Sequence, residues 1–168
     1  EHQARQKQLI KELQRTDKLC AILDSVGRAP PAGGRILEIG CAFGLIISTI
    51  EKLNETIPAP EERIDLIVFS HVMENIVDLD IVFAAIDRWL APNGVVLMEM
   101  PNSTVQNSTH IYHPYCFSRA SLQRLYRGQD YEILSIPSTG RSSSVLIPRY
   151  LTLTARQNTE VAGEITQR

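Results

Sequence analysis

The sequence predicts an α/β domain, a Rossmann-like, mostly parallel sheet with helices on both faces and an antiparallel strand near its C-terminus. Three observations predict it. RILEIG, IDLIVFS and VVLMEM are short apolar runs of the kind buried on both faces of a parallel sheet. Stretches of helical spacing alternate with them. A glycine turn closes the first run, ILEIGCAFG at residues 36–44, where such folds bring the backbone close to a ligand over a helix N-terminus.

Taken in order, Leu9, Leu13, Cys20 and Leu23 form an apolar helical stripe, flanked by Ile10, Leu19, Ile22 and Val26. Gly27 and then Pro30-Pro31 end that helix. The first strand follows the PPAGG linker, and LIISTIEKLN follows it as a helix. IDLIVFS, residues 64–70, is the second strand. A helix from about Asp80 to Leu90 stops at the turn Pro92-Asn93-Gly94, and VVLMEM is the third strand. Beyond a long polar loop, Ser118 is the expected N-cap of a helix through SLQRLYRG. YEILSIP and SVLIPRYLTLTAR close the sheet, the last strand antiparallel at its far side. This divides the chain into an N-terminal helix (1–29), the α/β domain (30–156) and a polar tail (157–168). Trp89, Tyr126 and Tyr131 fall at packing positions.

With 168 residues, 43% of them hydrophobic, the chain suits one domain with its own core. A net charge of -2 supplies no basic surface for nucleic acid or anionic lipid. No apolar run approaches the length of a membrane span. Nothing at the N-terminus has the pattern of a signal peptide, and Cys20, Cys41 and Cys116 are too few and too scattered for a disulfide framework. Together these predict a reducing, cytoplasmic setting.

LEIGCAFG, DLIVFSHVMENI, LAPNGVVLMEMPN and HPYCFSRASLQRLY, in that order, resemble the class I S-adenosylmethionine-dependent methyltransferases. The likeness is to their bacterial small-molecule group and spans residues 36–126. Ala42 replaces the middle glycine of the turn, Asn75 a second histidine, and Asn93 a glycine. Asn tolerates left-handed backbone, which would preserve the turn at 93.

The resemblance implies S-adenosylmethionine as cofactor. Glu38 would meet its ammonium group, and the backbone of Gly40, Cys41, Ala42 and Gly44 its carboxylate. Ser70 and His71 would line the same crevice. His113, in the HPYCFS stretch, is the leading general base because imidazole titrates near neutrality; His110 and Tyr112 are weaker candidates. His110, His113 and Cys116 spell H-x2-H-x2-C, but structural zinc usually needs four ligands in paired spacing, so no metal is assigned. Glu99 receives no firm role. The N-terminal helix is either a lid over the cofactor or packed on the sheet's outer face.

One part of the family pattern is short. Only NETIPAPEER separates the first helix from the second strand, whereas the pattern calls for two more strands and a helix, one strand ending in a ribose-binding acid. A βαβ unit needs about 30 residues, so residues 36–70 hold one. Glu55, Glu61 and Glu62 lie in a proline-broken linker and read as solvated charges. Either a segment near residues 54–60 is missing from the sequence or the domain is natively reduced; the undegraded flanking motifs favour the first.

The expected activity is methyl transfer to a small-molecule acceptor, with oxygen favoured and a homo-oligomer compatible with the sequence. The alternative is a catalytically silent module of the same fold that binds a partner protein. An NAD-linked dehydrogenase is disfavoured, because the glycine spacing fails G-x-G-x-x-G.

Overall fold

A computed structural model of the chain describes residues 14, 17–28, 33–40, 63–105, 113–139 and 149–158. Helix α1 occupies residues 17–25 and ends where the sequence predicts. Gly27 takes φ 64°, and the Arg28 N–H donates to the Leu23 carbonyl at 3.0 Å. This is the left-handed glycine stop that satisfies a helix's last carbonyls.

Strands β1 (Ile36–Ile39) and β2 (Ile64–Ser70) pair in parallel, and β2 pairs in parallel with β3 (Leu90–Pro101). Helix α2 (Leu79–Trp89) precedes β3, and helix α3 (Arg119–Arg127) precedes β4 (Tyr131–Ser135). The short β5 (Ser138–Thr139) leads to β6 (Tyr150–Gln157), which is antiparallel to β3, β4 and β5. The main sheet order is β1-β2-β3-β6-β4. Among the described residues β1 pairs with β2 alone, and no helix is long and apolar enough to cross a membrane.

Two expectations change. The final strand is antiparallel as expected, but it lies inside the sheet and β4 takes the outer position. Residues 151–155 of β6 are all buried, whereas β4 carries the exposed Glu132. A strand buried on both sides belongs inside, and a charged one suits an edge. The second change concerns Pro92-Asn93-Gly94, which lies within β3 as an irregularity. Ile64 pairs with Leu90 and Leu66 already with Val95, so the extra residues bulge from the ladder. Neither Asn93 nor Gly94 adopts a positive φ. Gly94 is there for space: a Cβ on it would lie 2.8 Å from Leu90 Cδ1 and 2.9 Å from the Ile64 carbonyl oxygen.

The register sorts the side chains onto two faces. Leu37, Ile67, Phe69, Val96, Met98, Met100, Leu151 and Leu153 pack with Phe83 and Ile86 of α2 and with Leu122 and Tyr126 of α3. The rings of Phe83, Tyr126 and Tyr131 form a triangle, with Phe83 at centroid distances of 5.3 and 5.7 Å from the two tyrosines and these 5.8 Å from each other. Burial pushes both tyrosine pKa values up, with Asp87 adding to the effect at Tyr131. The Tyr131 hydroxyl donates to Asp87 Oδ1 at 2.6 Å. On the opposite face, Leu19 and Leu23 of α1 pack with Ile36, Leu66, Val68, Val95 and Leu97. Helices thus cover both faces, as an α/β sheet requires.

Candidate active site

The carboxyl ends of β1, β2 and β3 come together on the α1 face. Glu38 is in register with Val68, one row below Ser70, which is in register with Glu99; Glu99 is in turn opposite Thr152 of β6. Ser70, Glu99 and Thr152 therefore form one polar row across three strands, each at most 4% exposed. Thr152 shares a hydroxyl contact with Thr139 at 3.2 Å, and Thr154 one with Ser135 at 2.8 Å.

Gly40 ends β1 at φ 86°. A Cβ there would overlap Val72 Cγ2 and lie 2.7 Å from the Ser70 carbonyl oxygen. Both the left-handed backbone and this close approach require glycine. The predicted cofactor turn thus starts in contact with the residues flanking His71. An exposed glycine beside a carboxylate at a strand end also fits the methionine end of the cofactor that the sequence implies, since bare backbone can approach a ligand there.

His71 follows β2 at φ 54°, an uncommon conformation for a residue with a side chain. Its backbone N–H continues the parallel ladder to the Glu99 carbonyl at 2.9 Å, and Asn75 Nδ2 donates to its carbonyl at 3.2 Å. The imidazole is clamped between two carboxylates: Nδ1 is 3.4 Å from Glu74 Oε1, and Nε2 is 3.3 Å from Glu99 Oε1. Tyr150 meets the ring edge-on at 5.0 Å. Burial by itself would lower the imidazole's pKa. The hydrogen bonds and charges of Glu74 and Glu99 outweigh it and push the value up to about 9. At neutral pH the ring is an imidazolium and holds its proton.

Glu74 is 3% exposed and stands on a single 3-10 turn, Met73–Asn75. Its Oε2 is buried and has no hydrogen-bond partner among the described residues. Sequence reasoning missed Glu74 and Tyr150 and left Glu99 without a role. A signal for Glu74 was present, because His71 and Glu74 stand three apart and one helical turn brings such positions together. Tyr150 had no comparable signal.

The segment carrying His113 is anchored just after it. Tyr115 donates its N–H to the Glu74 carbonyl at 3.5 Å and its hydroxyl to the Val77 carbonyl at 2.9 Å. Phe117 forms a parallel bridge with Asn102. His113 itself is partly buried. Cys41, Ala42, Gly44, His110 and Tyr112 lie outside the described residues.

Comparison with known families identifies the domain. A family model described as "Methyltransferase domain" matches residues 50–136, just over half of the chain. The chain belongs to the methyltransferase-domain family. Its sheet also has the methyltransferase form. It is similar to an S-adenosylmethionine-dependent methyltransferase from Mesorhizobium loti, with TM-score 0.59 and 11% identity, covering 80% of this chain and 96% of that one. It is likewise similar to the magnesium protoporphyrin IX methyltransferase of Synechocystis, solved with bound S-adenosylhomocysteine, at TM-score 0.58 and 12% identity, covering 89% and 84%. A DhpI complex with S-adenosylhomocysteine matches at TM-score 0.45 and 16% identity, covering 59% of this chain, which spans 50% of that one. No curated protein matches the sequence. The expected membership of a methyltransferase family holds, as does the Rossmann-like fold.

Proposed function

We propose that this methyltransferase-domain protein transfers the methyl group of S-adenosylmethionine to a small-molecule acceptor, with oxygen the favoured acceptor atom. The observation that carries the reading is the contact of Gly40 with Ser70 and Val72, which joins the glycine turn to the polar strand ends on one sheet face. Bound there, the cofactor supplies a methyl group already activated by its sulfonium. The chain's residues align the acceptor and manage its proton.

In this reading Glu38 receives the cofactor's ammonium group, and the backbone from Gly40 to Gly44, through Cys41 and Ala42, holds its carboxylate. Ser70 and His71 line the crevice. His71 is already protonated at neutral pH, so it cannot accept the acceptor's proton. That task falls to His113, on the loop beyond the carboxyl end of β3, with His110 as the weaker candidate. The adenosine half needs a wall beside β1, which a segment near residues 54–60 would supply if the sequence omits one there; a natively reduced domain would lack it.

Calorimetric titration of S-adenosylhomocysteine tests the reading, with Gly40→Arg as the control. Micromolar binding that disappears in the variant supports it. Flat heats from well-folded protein would sink it and favour a silent module that binds a partner protein.

A further inference from the structure

The chain runs His113-Pro114-Tyr115, and its middle residue makes this stretch stiff. Proline fixes its own φ at about −65° and confines the residue before it to extended backbone. Two residues of chain reach at most about 7 Å, so the place of Tyr115 sets that of His113 within narrow limits. Tyr115 is itself held from three sides. Its N–H donates to the Glu74 carbonyl at 3.5 Å, its hydroxyl donates to the Val77 carbonyl at 2.9 Å, and its ring stacks on Phe117 at 6.0 Å with 20° between the planes. The hydroxyl bond is the firmer of the two. Phe117 is buried, and its carbonyl takes the Ser103 N–H at 2.8 Å, just beyond the end of β3.

We propose that Tyr115 is the positioning residue for His113, the anchor that keeps it at the crevice His71 lines. The inference rests on the methyl-donor reading above, in which His113 is the base. Glu74 joins the two histidines. Its main-chain carbonyl accepts from Tyr115, and its carboxylate lies 3.4 Å from His71 Nδ1. The 3-10 turn that carries Glu74 is closed on itself, the Asn75 N–H donating to the Val72 carbonyl at 2.9 Å and the Asn75 side chain to the His71 carbonyl at 3.2 Å. Val77, which takes the Tyr115 hydroxyl, directly precedes Asp78, the N-cap of α2. The anchor of His113 is thus tied to the same turn that clamps His71 and to the helix that follows it.

A base carried on a loop needs such an anchor, because a displacement of about 1 Å can cost about a hundredfold in rate. The part of Tyr115 is geometric: it takes up no proton and acts through His113. Its hydroxyl bond can be removed while the ring stack and the core beneath it stay in place, and the exposed Val77 then turns its carbonyl to water. A bond of this kind shifts a local equilibrium about fivefold. That is enough to loosen the anchor without unfolding the domain.

The test is NMR with calorimetry on the full chain, using S-adenosylhomocysteine as the probe. The imidazole signals of His113, assigned by their loss in His113→Gln, should shift as the probe saturates the wild-type protein. Tyr115→Phe should bind the probe as tightly as the wild type and show a smaller His113 shift. Tyr115→Leu, which also removes the stack, should lose most of that shift. No His113 shift in a wild type that binds the probe, or an undiminished shift in Tyr115→Leu, overturns the proposal and leaves the cofactor part of the methyl-donor reading standing. A folded Tyr115→Phe protein that no longer binds the probe also overturns it, because Tyr115 would then support the crevice itself. If the folded wild type binds no probe, the methyl-donor reading fails first and takes this inference with it. Should Tyr115→Leu fail to melt cooperatively, Tyr115→Phe decides alone, an unchanged shift overturning the proposal.

Discussion

Along β3 and β6, the face under α2 and α3 stays apolar to the carboxyl end of β3, where Met100 meets Leu151. The opposite face changes character. It is apolar through Val95 and Leu97, then turns to Glu99, with Ser70 on one side and Thr152 on the other. Both faces are closed to water at this end. They differ in what is buried, hydrocarbon on one and carboxylates with hydroxyls on the other. The first arrangement contributes stability roughly in proportion to its area. The second contributes little net stability and demands a partner for each polar atom. In the proposed function, a fold that keeps such a row on one face only separates the work of holding together from the work of holding a ligand.

The largest expected effect strikes the apolar face. Phe83→Ala should cost about 3–5 kcal/mol, read from urea denaturation, since the ring is 1% exposed and touches both Tyr126 and Tyr131. A loss under about 1 kcal/mol would mean that this face is not the structural one.

His71 gives a smaller effect with a distinct signature. Its folded pKa, about 9, lies above the ordinary 6.5. The stabilisation is therefore complete below pH 6.5, declines as pH rises from there, and is lost once pH passes about 9. The side chain is 37% exposed, and discounting for solvent screening leaves about 1 kcal/mol, or about 2–4 °C in Tm. Thermal melts across that range should show the decline in the wild type and lose it in His71→Gln. An equal slope in the two proteins would detach the imidazole from its carboxylates.

The smallest effect belongs to the polar row. Thr152→Val preserves shape and removes one hydroxyl contact, and Thr139 is partly exposed and can turn to water. The change should cost about 0.5–1 kcal/mol in urea denaturation. A cost near that of Phe83→Ala would erase the distinction between the faces.

Much of the framework was legible because its signals are local. Strand β2 was read to its exact ends by its unbroken apolar pattern. Ser118 announced α3 and does cap it, its hydroxyl accepting from the Ser121 N–H at 3.1 Å while Ser121 reaches back to the Ser118 N–H. Gly27 stopped α1 as expected. Gly40 was legible as a position that requires glycine because the turn motif surrounds it.

What could not be read depends on register and backbone. The position of β6 between β3 and β4 follows from pairing between residues distant in sequence. The junction of α2 and β3 looked like a turn because Pro, Asn and Gly mark turns locally, whereas Leu90 already pairs with Ile64. The clamp on His71 needed two unforeseen facts, the ladder that sets Ser70 beside Glu99 and a left-handed backbone at a histidine.

The interior position of β6 has a consequence for how the chain folds. β4 emerges during synthesis before the strand that links it to the sheet, and β3 waits longer still for its neighbour. Until residues 150–157 are available, both carry unpaired backbone beside apolar side chains. Such open edges are what chaperones recognise and where aggregation begins. Placing this one strand closes two gaps, so that completion of the sheet depends on its final eight residues.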